Sequence, residues 1–221
     1  MSEDSPIKRA LIFDFDGLIL DTESAEVRIW NNLFAQVGLT FDMESHTRVV
    51  GTNGSRGYDP AQVLADREGE ERSREQIRKQ FQQIEHDYCE KLEAMAGVVD
   101  LIRNAKAKGY LLGLGTSGIH WWVNTHLTRL GLLDNFDVII TSEDVRKAKP
   151  APDIFLKVLE CLDVSSENAL VLEDSQNGVL AAHHAGIRAI AVPNPVTINQ
   201  DFSLATAVLP SLTGFDPDAY F

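Results

Sequence analysis

Asp14 and Asp16, followed at once by Gly17, stand at the end of the apolar run Leu11-Ile12-Phe13. A carboxylate moved from water to the end of a buried strand costs several kcal/mol unless something compensates it. Three other groups of reactive side chains occupy equivalent places. Thr116, Ser117 and Gly118 follow a run that ends at Gly115, Lys147 and Lys149 follow one that ends at Thr141, and Glu173 and Asp174 follow Leu170-Val171-Leu172. Each has an ordinary explanation alone: Asp16-Gly17 as a turn, Thr116 and Asp174 as helix N-caps, Lys149 as a solvated loop lysine. Gathered on one sheet edge, they become a chemical set. Carboxylates packed together repel unless a hard cation lies among them, and oxygen ligands of this kind suit Mg²⁺. The cation would bring a dianionic phosphate to carboxylates that otherwise reject it. A carboxylate so placed is a competent nucleophile and can form an aspartyl-phosphate. Thr116, the amides after it and Lys149 supply donors for charge on the transferring oxygens.

The elements that must position these groups are legible as patterns. Apolar runs at 10–15, 110–115, 136–141, 169–172 and 189–192 read as buried parallel strands, and helical patterns at 98–108, 121–130, 152–162 and 177–185 alternate with the later ones. Alternation of this length predicts an α/β fold with a doubly wound, Rossmann-like parallel sheet, whose chemistry gathers beyond the carboxyl ends of its strands. Roughly ninety residues separate the first two strands, where a crossover needs only a few tens. Within that excess Val27, Trp30, Phe34 and Val37 recur at helical spacing, as do Ile77, Phe81, Ile84 and Tyr88. A Gly-rich loop, GTNGSRGYDP, and a charged stretch at 66–74 lie between them. The expected organisation is a catalytic core of residues 1–21 and 92–221. A smaller all-helical cap, 22–91, is inserted after the first strand.

Composition narrows the partners. A net charge of −13 over 221 residues argues against a nucleic-acid backbone or an anionic membrane. It does not argue against a small anion, because a metal or a few local cations can invert the field inside one pocket. Two cysteines, Cys89 and Cys161, are too few for a disulfide framework or a zinc site. No signal peptide or long apolar run is present, so the sequence predicts a cytoplasmic monomer whose partner is a small phosphorylated metabolite.

The segments DFDGLILDTE, LGTSG, KPAPDIF and VLEDSQNGV, in this order, resemble the four motifs of the haloacid dehalogenase superfamily. The closest likeness is to its β-phosphoglucomutase and phosphoglycolate phosphatase subgroup. The resemblance spans nearly the whole chain and implies a phosphatase. It casts Asp14 as nucleophile and Asp16 as general acid, then base, with its backbone carbonyl on the metal. Thr116 and Lys149 would hold the phosphoryl group with amides from Ser117 and Gly118, and Asp174 would complete the Mg²⁺ shell with Glu173 beside it. Dehalogenases lack an acid at the place of Asp16, so the resemblance favours a phosphatase over a dehalogenase.

Two departures bear on the reaction. The mutase pattern has a His twelve residues beyond the nucleophile, and Glu26 stands there. It also has an Arg in the cap's substrate loop, where this chain places Asn53 or Gly54, with Arg56 displaced. Without that cation a second phosphate is poorly held, which favours hydrolysis over mutase chemistry. Glu26, Gly51, Thr52 and Asn53 are the expected specificity residues of the cap. Two readings from other classes compete. The spacing Gly113-x-Gly115-x-x-Gly118 fits a dinucleotide fingerprint, but the acidic residue expected at the end of the next strand is missing. A non-catalytic relative would be expected to have lost the nucleophile, and every motif position here is filled.

Overall fold

The computed structural model describes residues 8–52, 57–69 and 71–221. Six strands, β1 (Ala10–Phe13), β2 (Leu111–Gly115), β3 (Val138–Ile140), β4 (Ala169–Glu173), β5 (Arg188–Ala191) and β6 (Ala207–Val208), form one sheet in the order β3-β2-β1-β4-β5-β6. All pairings are parallel. The strand order reverses between β1 and β4, which opens a crevice beyond their carboxyl ends.

Alternation along the strands explains why both faces are covered. Leu11 and Phe13 of β1 enter one hydrophobic cluster with Leu170 and Leu172 of β4, while Ala10 and Ile12 enter another with Ala169 and Val171. Helices α5 (Val98–Ala107) and α6 (His120–Arg129) supply the first cluster; α7 (Asp153–Leu162) and α8 (Gln176–His184) supply the second. Strands buried on both sides read as continuous apolar runs, which is how they appear in the sequence. The sixth strand does not, because two residues carry no periodicity.

Between β1 and β2 lie α1 (Thr22–Gln36), α2 (Met43–Thr47), α3 (Pro60–Glu68) and α4 (Arg74–Cys89). They share a hydrophobic cluster of their own around Ile29, Trp30, Leu33, Phe34, Leu64, Ile77 and Phe81. The Trp30 and Phe81 rings stack with centroids 4.2 Å apart, joining α1 to α4. Helix α3 falls across the end of the expected loop and the start of the charged stretch, and α2 lies in a segment to which the sequence pattern assigns no element. Asp59 caps α3 with Pro60 in its first turn, and Asp-Pro at a helix start is a legible signal. Helix α2, five residues long, is too short to show a period.

Gly113 and Gly115 lie inside β2, not in a turn. A Cβ on Gly113 would come 2.5 Å from Val158 Cγ1, and one on Gly115 would press on Ile154 and Phe155, both of α7. These glycines let α7 approach the sheet, which removes the structural basis for a dinucleotide fingerprint.

Candidate active site

The predicted first strand, 10–15, ends early at Phe13 because the chain turns sharply. The Phe15 carbonyl accepts from the amides of Leu18, Ile19 and Leu20, and the Asp14 amide donates to the Leu172 carbonyl at 3.0 Å. Gly17 sits at φ +79°, and a Cβ there would run into the Asp174 carboxylate and the Asn194 amide. Phe15, Leu18, Ile19 and Leu20 are all at most 2 % exposed. Burial of about 1.5–3 kcal/mol per such side chain is what pins the turn, and with it Asp14 and Asp16.

Asp14 is 3 % exposed, and its Oδ1 accepts a hydrogen bond of 2.6 Å from Lys149 Nζ. Burial, then the charge of Glu173, lifts the Asp14 carboxyl to about 8, against the pull of Lys149. Burial by itself would lower the Lys149 ammonium, but Asp14 and Glu173 outweigh it and push it up. Lys149 also donates to Glu173 Oε1. The other Glu173 oxygen accepts from Asp174 N, Ser175 N and Ser175 Oγ at 3.0–3.1 Å. Both oxygens of Glu173 are thus occupied by protein donors.

Asp174 differs. Its Oδ2 accepts from Asn194 Nδ2 at 2.7 Å, while its Oδ1 is buried without a hydrogen-bond partner. Burial and the charges of Glu173 and Asp14 raise this carboxyl well above the ordinary range. Oxygens of Asp14, Glu173 and Asp174 all lie within 4.8 Å of one another. A buried, all-oxygen cluster with one orphaned acceptor fits a hard divalent cation.

Asp16, half-buried, accepts from the Trp122 indole at 2.9 Å. Burial raises its carboxyl above the usual value, with the Trp122 hydrogen bond the largest opposing influence. Thr116, 1 % exposed at the end of β2, accepts from the Gly118 amide at 3.0 Å. Ser117 Oγ donates to the Gly51 carbonyl at 2.9 Å.

These residues border a cavity of about 690 Å³ between the sheet edge and the four inserted helices. Asp14, Asp16, Thr116, Ser117 and Gly118 line it from the sheet side, and Glu26, Gly51 and Thr52 from the helical side. Lys149, Glu173 and Asp174 stand behind Asp14 instead. Asn53, Gly54 and Arg56 lie outside the described residues. The segment before Thr52 is tied to the α/β unit by three bonds besides that of Ser117. Asn177 Nδ2 donates to Val50 O at 2.7 Å and Arg48 O at 3.2 Å, and Gln200 Nε2 donates to Thr47 O at 2.8 Å.

The pattern of residues did not reveal several lining groups: Glu23, Trp30, His46, Arg78, Lys79, Glu85 and Trp122. Arg78 and Lys79 bring cations to the cavity from α4, outside the substrate loop in which the sequence pattern looks for one. Arg78 is shared with Asp59 through an ion pair of 3.1 Å, and its Nε is buried without a hydrogen-bond partner. The spacing of Arg78, Gln82 and Glu85 on one face of α4 is visible in sequence, but the direction of that face is not.

The sequence model of the haloacid dehalogenase-like hydrolase family matches residues 11–192. YhcW of Bacillus subtilis is 37% identical over 189 residues, covering 86% of this chain and 85% of its own. A protein of Thermotoga maritima named phosphorylated carbohydrates phosphatase is 31% identical over 182 residues, covering 82% and 83%. Among solved structures, CbbY of Rhodobacter sphaeroides in complex with phosphate superposes with a TM-score of 0.71 at 28% identity, covering 93% of this chain and 95% of that one. A further structure of that protein holds xylulose-(1,5)bisphosphate.

Proposed function

We propose that this chain, which belongs to the haloacid dehalogenase-like hydrolases, is a Mg²⁺-dependent phosphomonoesterase. Its substrate is a small, sugar-like monophosphate, and its intermediate an aspartyl-phosphate on Asp14. The observation that carries this reading is the buried Asp14–Lys149 pair beside the orphaned oxygen of Asp174. The name of the Thermotoga relative, a phosphatase of phosphorylated carbohydrates, supports the substrate class.

In this reading Asp14 attacks phosphorus through one carboxylate oxygen while the ester P–O bond breaks. Asp16, whose carboxyl burial keeps more protonated than usual, gives its proton to the departing alkoxide. Water then attacks the same phosphorus and loses its proton to Asp16. Inorganic phosphate leaves, and Asp14 is restored. Thr116 and Lys149 donate hydrogen bonds to the transferring oxygens, with the Ser117 and Gly118 amides beside them. Asp14, Asp174 and the Asp16 carbonyl would hold Mg²⁺, which when bound supplies charge neutralisation at the phosphoryl group. Glu173, whose oxygens already accept from Lys149, the Asp174 and Ser175 amides and the Ser175 hydroxyl, stands beside the metal chiefly as the anchor of Lys149.

The test is a panel of phosphorylated metabolites assayed with Mg²⁺ or with excess EDTA. Phosphate release is expected with Mg²⁺ alone, and Asp14→Asn should lower kcat by several orders of magnitude, on the order of 10⁴ or more. Full activity in EDTA, or unimpaired turnover by the Asn variant, would overturn the mechanism. Arg78 and Lys79 in the cavity favour a second reading, a phosphosugar mutase that grips a distal phosphate. Isomerisation of hexose 1-phosphate that needs a bisphosphate primer and outpaces phosphate release would establish it in place of hydrolysis.

A further inference from the structure

The cavity contains a second group of metal-ligating side chains, which shares no ligand with the Asp14–Glu173–Asp174 group, although Glu23 feels the charges of Asp16 and Asp14. Glu23 and Glu26 are three residues apart on α1 and therefore share a face. His46 approaches from α2. One ligand atom from each lies within 4.8 Å of the other two. Acidic clusters are common, so the imidazole decides the matter. His46 is only 5 % exposed, lines the cavity, and has both ring nitrogens buried with no hydrogen-bond partner. Its Nε2 stands 3.7 Å from Glu26 Oε2, too far for a hydrogen bond. Two ligands bound to one ion at about 2.0–2.2 Å and a tetrahedral angle are separated by roughly 3.3–3.6 Å. The gap is close to what a shared ion would set.

The surroundings agree. Phe41 packs against the His46 ring with centroids 5.2 Å apart and fixes its direction. Burial holds the imidazole down, at about 4, so that it is neutral and able to coordinate. Glu85 of α4 shares a hydrogen bond with Glu26, and burial lifts both carboxyls, Glu26 to about 7. Arg78 attracts Glu26 but already pairs with Asp59. Glu23, Glu26 and Glu85 therefore gather near a neutral imidazole, with the charges of Asp16 and Asp14 also reaching Glu23, and of the described cavity cations Arg78 and Lys79 the first is paired with Asp59.

We propose that Glu23, Glu26 and His46 form a second metal site, which takes a divalent ion of the zinc class through two carboxylates and one imidazole. Imidazole selects zinc-like ions over Mg²⁺, and Glu85 supports the site through Glu26, as outer partners do in such centres. Three protein ligands leave a coordination position facing the cavity, open to water or to an oxygen of a bound small molecule.

The experiment titrates Zn²⁺ calorimetrically into the full-length protein already saturated with Mg²⁺, and Co²⁺ with its visible absorption recorded. One Zn²⁺ should bind with release of protons, seen as a dependence of the heat on the buffer's ionisation enthalpy. His46→Gln and Glu26→Gln should each weaken it at least about a hundredfold and abolish the visible Co²⁺ band. Asp174→Asn should leave it unchanged, and circular dichroism establishes that each variant is folded. Zn²⁺ binding that survives both cavity variants, or that disappears with Asp174→Asn instead, overturns the proposal. So does the absence of Zn²⁺ binding to the Mg²⁺-saturated wild type.

Discussion

Asp14 and Asp16 are only two positions apart, yet their surroundings separate their tasks. Asp14 faces a lysine ammonium at 2.6 Å, whose pull works against the burial and the Glu173 charge that favour its protonated form. Asp16 faces an indole N–H at 2.9 Å, a neutral donor that leaves burial to favour the protonated form. The difference predicts how Asp16→Ala should behave. A sugar alkoxide needs a proton as the P–O bond breaks, and a nitrophenolate scarcely does. Turnover of a sugar phosphate should fall on the order of 10²–10⁴-fold, and phosphorylation of the enzyme by p-nitrophenyl phosphate far less. Because the same side chain activates water, the aspartyl-phosphate formed from the activated ester should accumulate, detectable by rapid quench. Equal losses on both esters would assign Asp16 a structural or metal-binding part only.

Among the elements, the connection from α2 towards α3 is the one that joins the inserted helices to the α/β unit. Asn177 in the first turn of α8, Gln200 and Ser117 all donate to carbonyls of residues 47–51. Asn177→Ala removes two of these bonds while Ser175, the N-cap of α8, is untouched. KM should rise several-fold, in line with the about 0.5–1.5 kcal/mol of a net hydrogen bond. Amide exchange at 47–51 should quicken, with the sheet's protection unchanged. Unaltered exchange there would show that these contacts do not hold the segment. The sheet-side residues could be read from sequence because each follows an apolar run, and a run buried on both faces announces its own end. His46, Arg78 and Glu85 could not. They meet only through the packing of α1, α2 and α4, and periodicity says which residues share a face without saying what that face meets. Asn194 was hidden for a related reason. Asn-Pro marks a turn, but nothing in the dipeptide tells that its amide reaches Asp174.

At the scale of the whole molecule, the buried acids set how stability responds to pH. In the metal-free fold Asp14 keeps its proton up to about 8 and Glu26 up to about 7, whereas the unfolded chain has released both by about pH 5. The native state then binds more protons than the unfolded one, so stability declines as pH rises towards 8. His46 and His126, both lowered by burial to about 4, act oppositely, but only below their unfolded value of about 6.5. Between pH 6.5 and 8 the acids dominate. The melting temperature in EDTA should fall by a few degrees across that interval, and Mg²⁺ should restore more at pH 8 than at 6.5. A rising melting temperature in EDTA would contradict the burial assigned to Asp14. The reversal of strand order between β1 and β4 also has a consequence in time. The ribosome makes Asp174 about 160 residues after Asp14, on the order of ten seconds at roughly 5–20 residues per second. Throughout that interval β1 lacks one of its two neighbours, and Asp14 lacks first Lys149 and then Asp174. The four inserted helices, which carry their own hydrophobic cluster, emerge well before either. An emerging chain would therefore fold its cavity roof first and acquire its reactive floor only once Lys149 and Asp174 have been made, so a fragment released before them carries a nucleophile it cannot use.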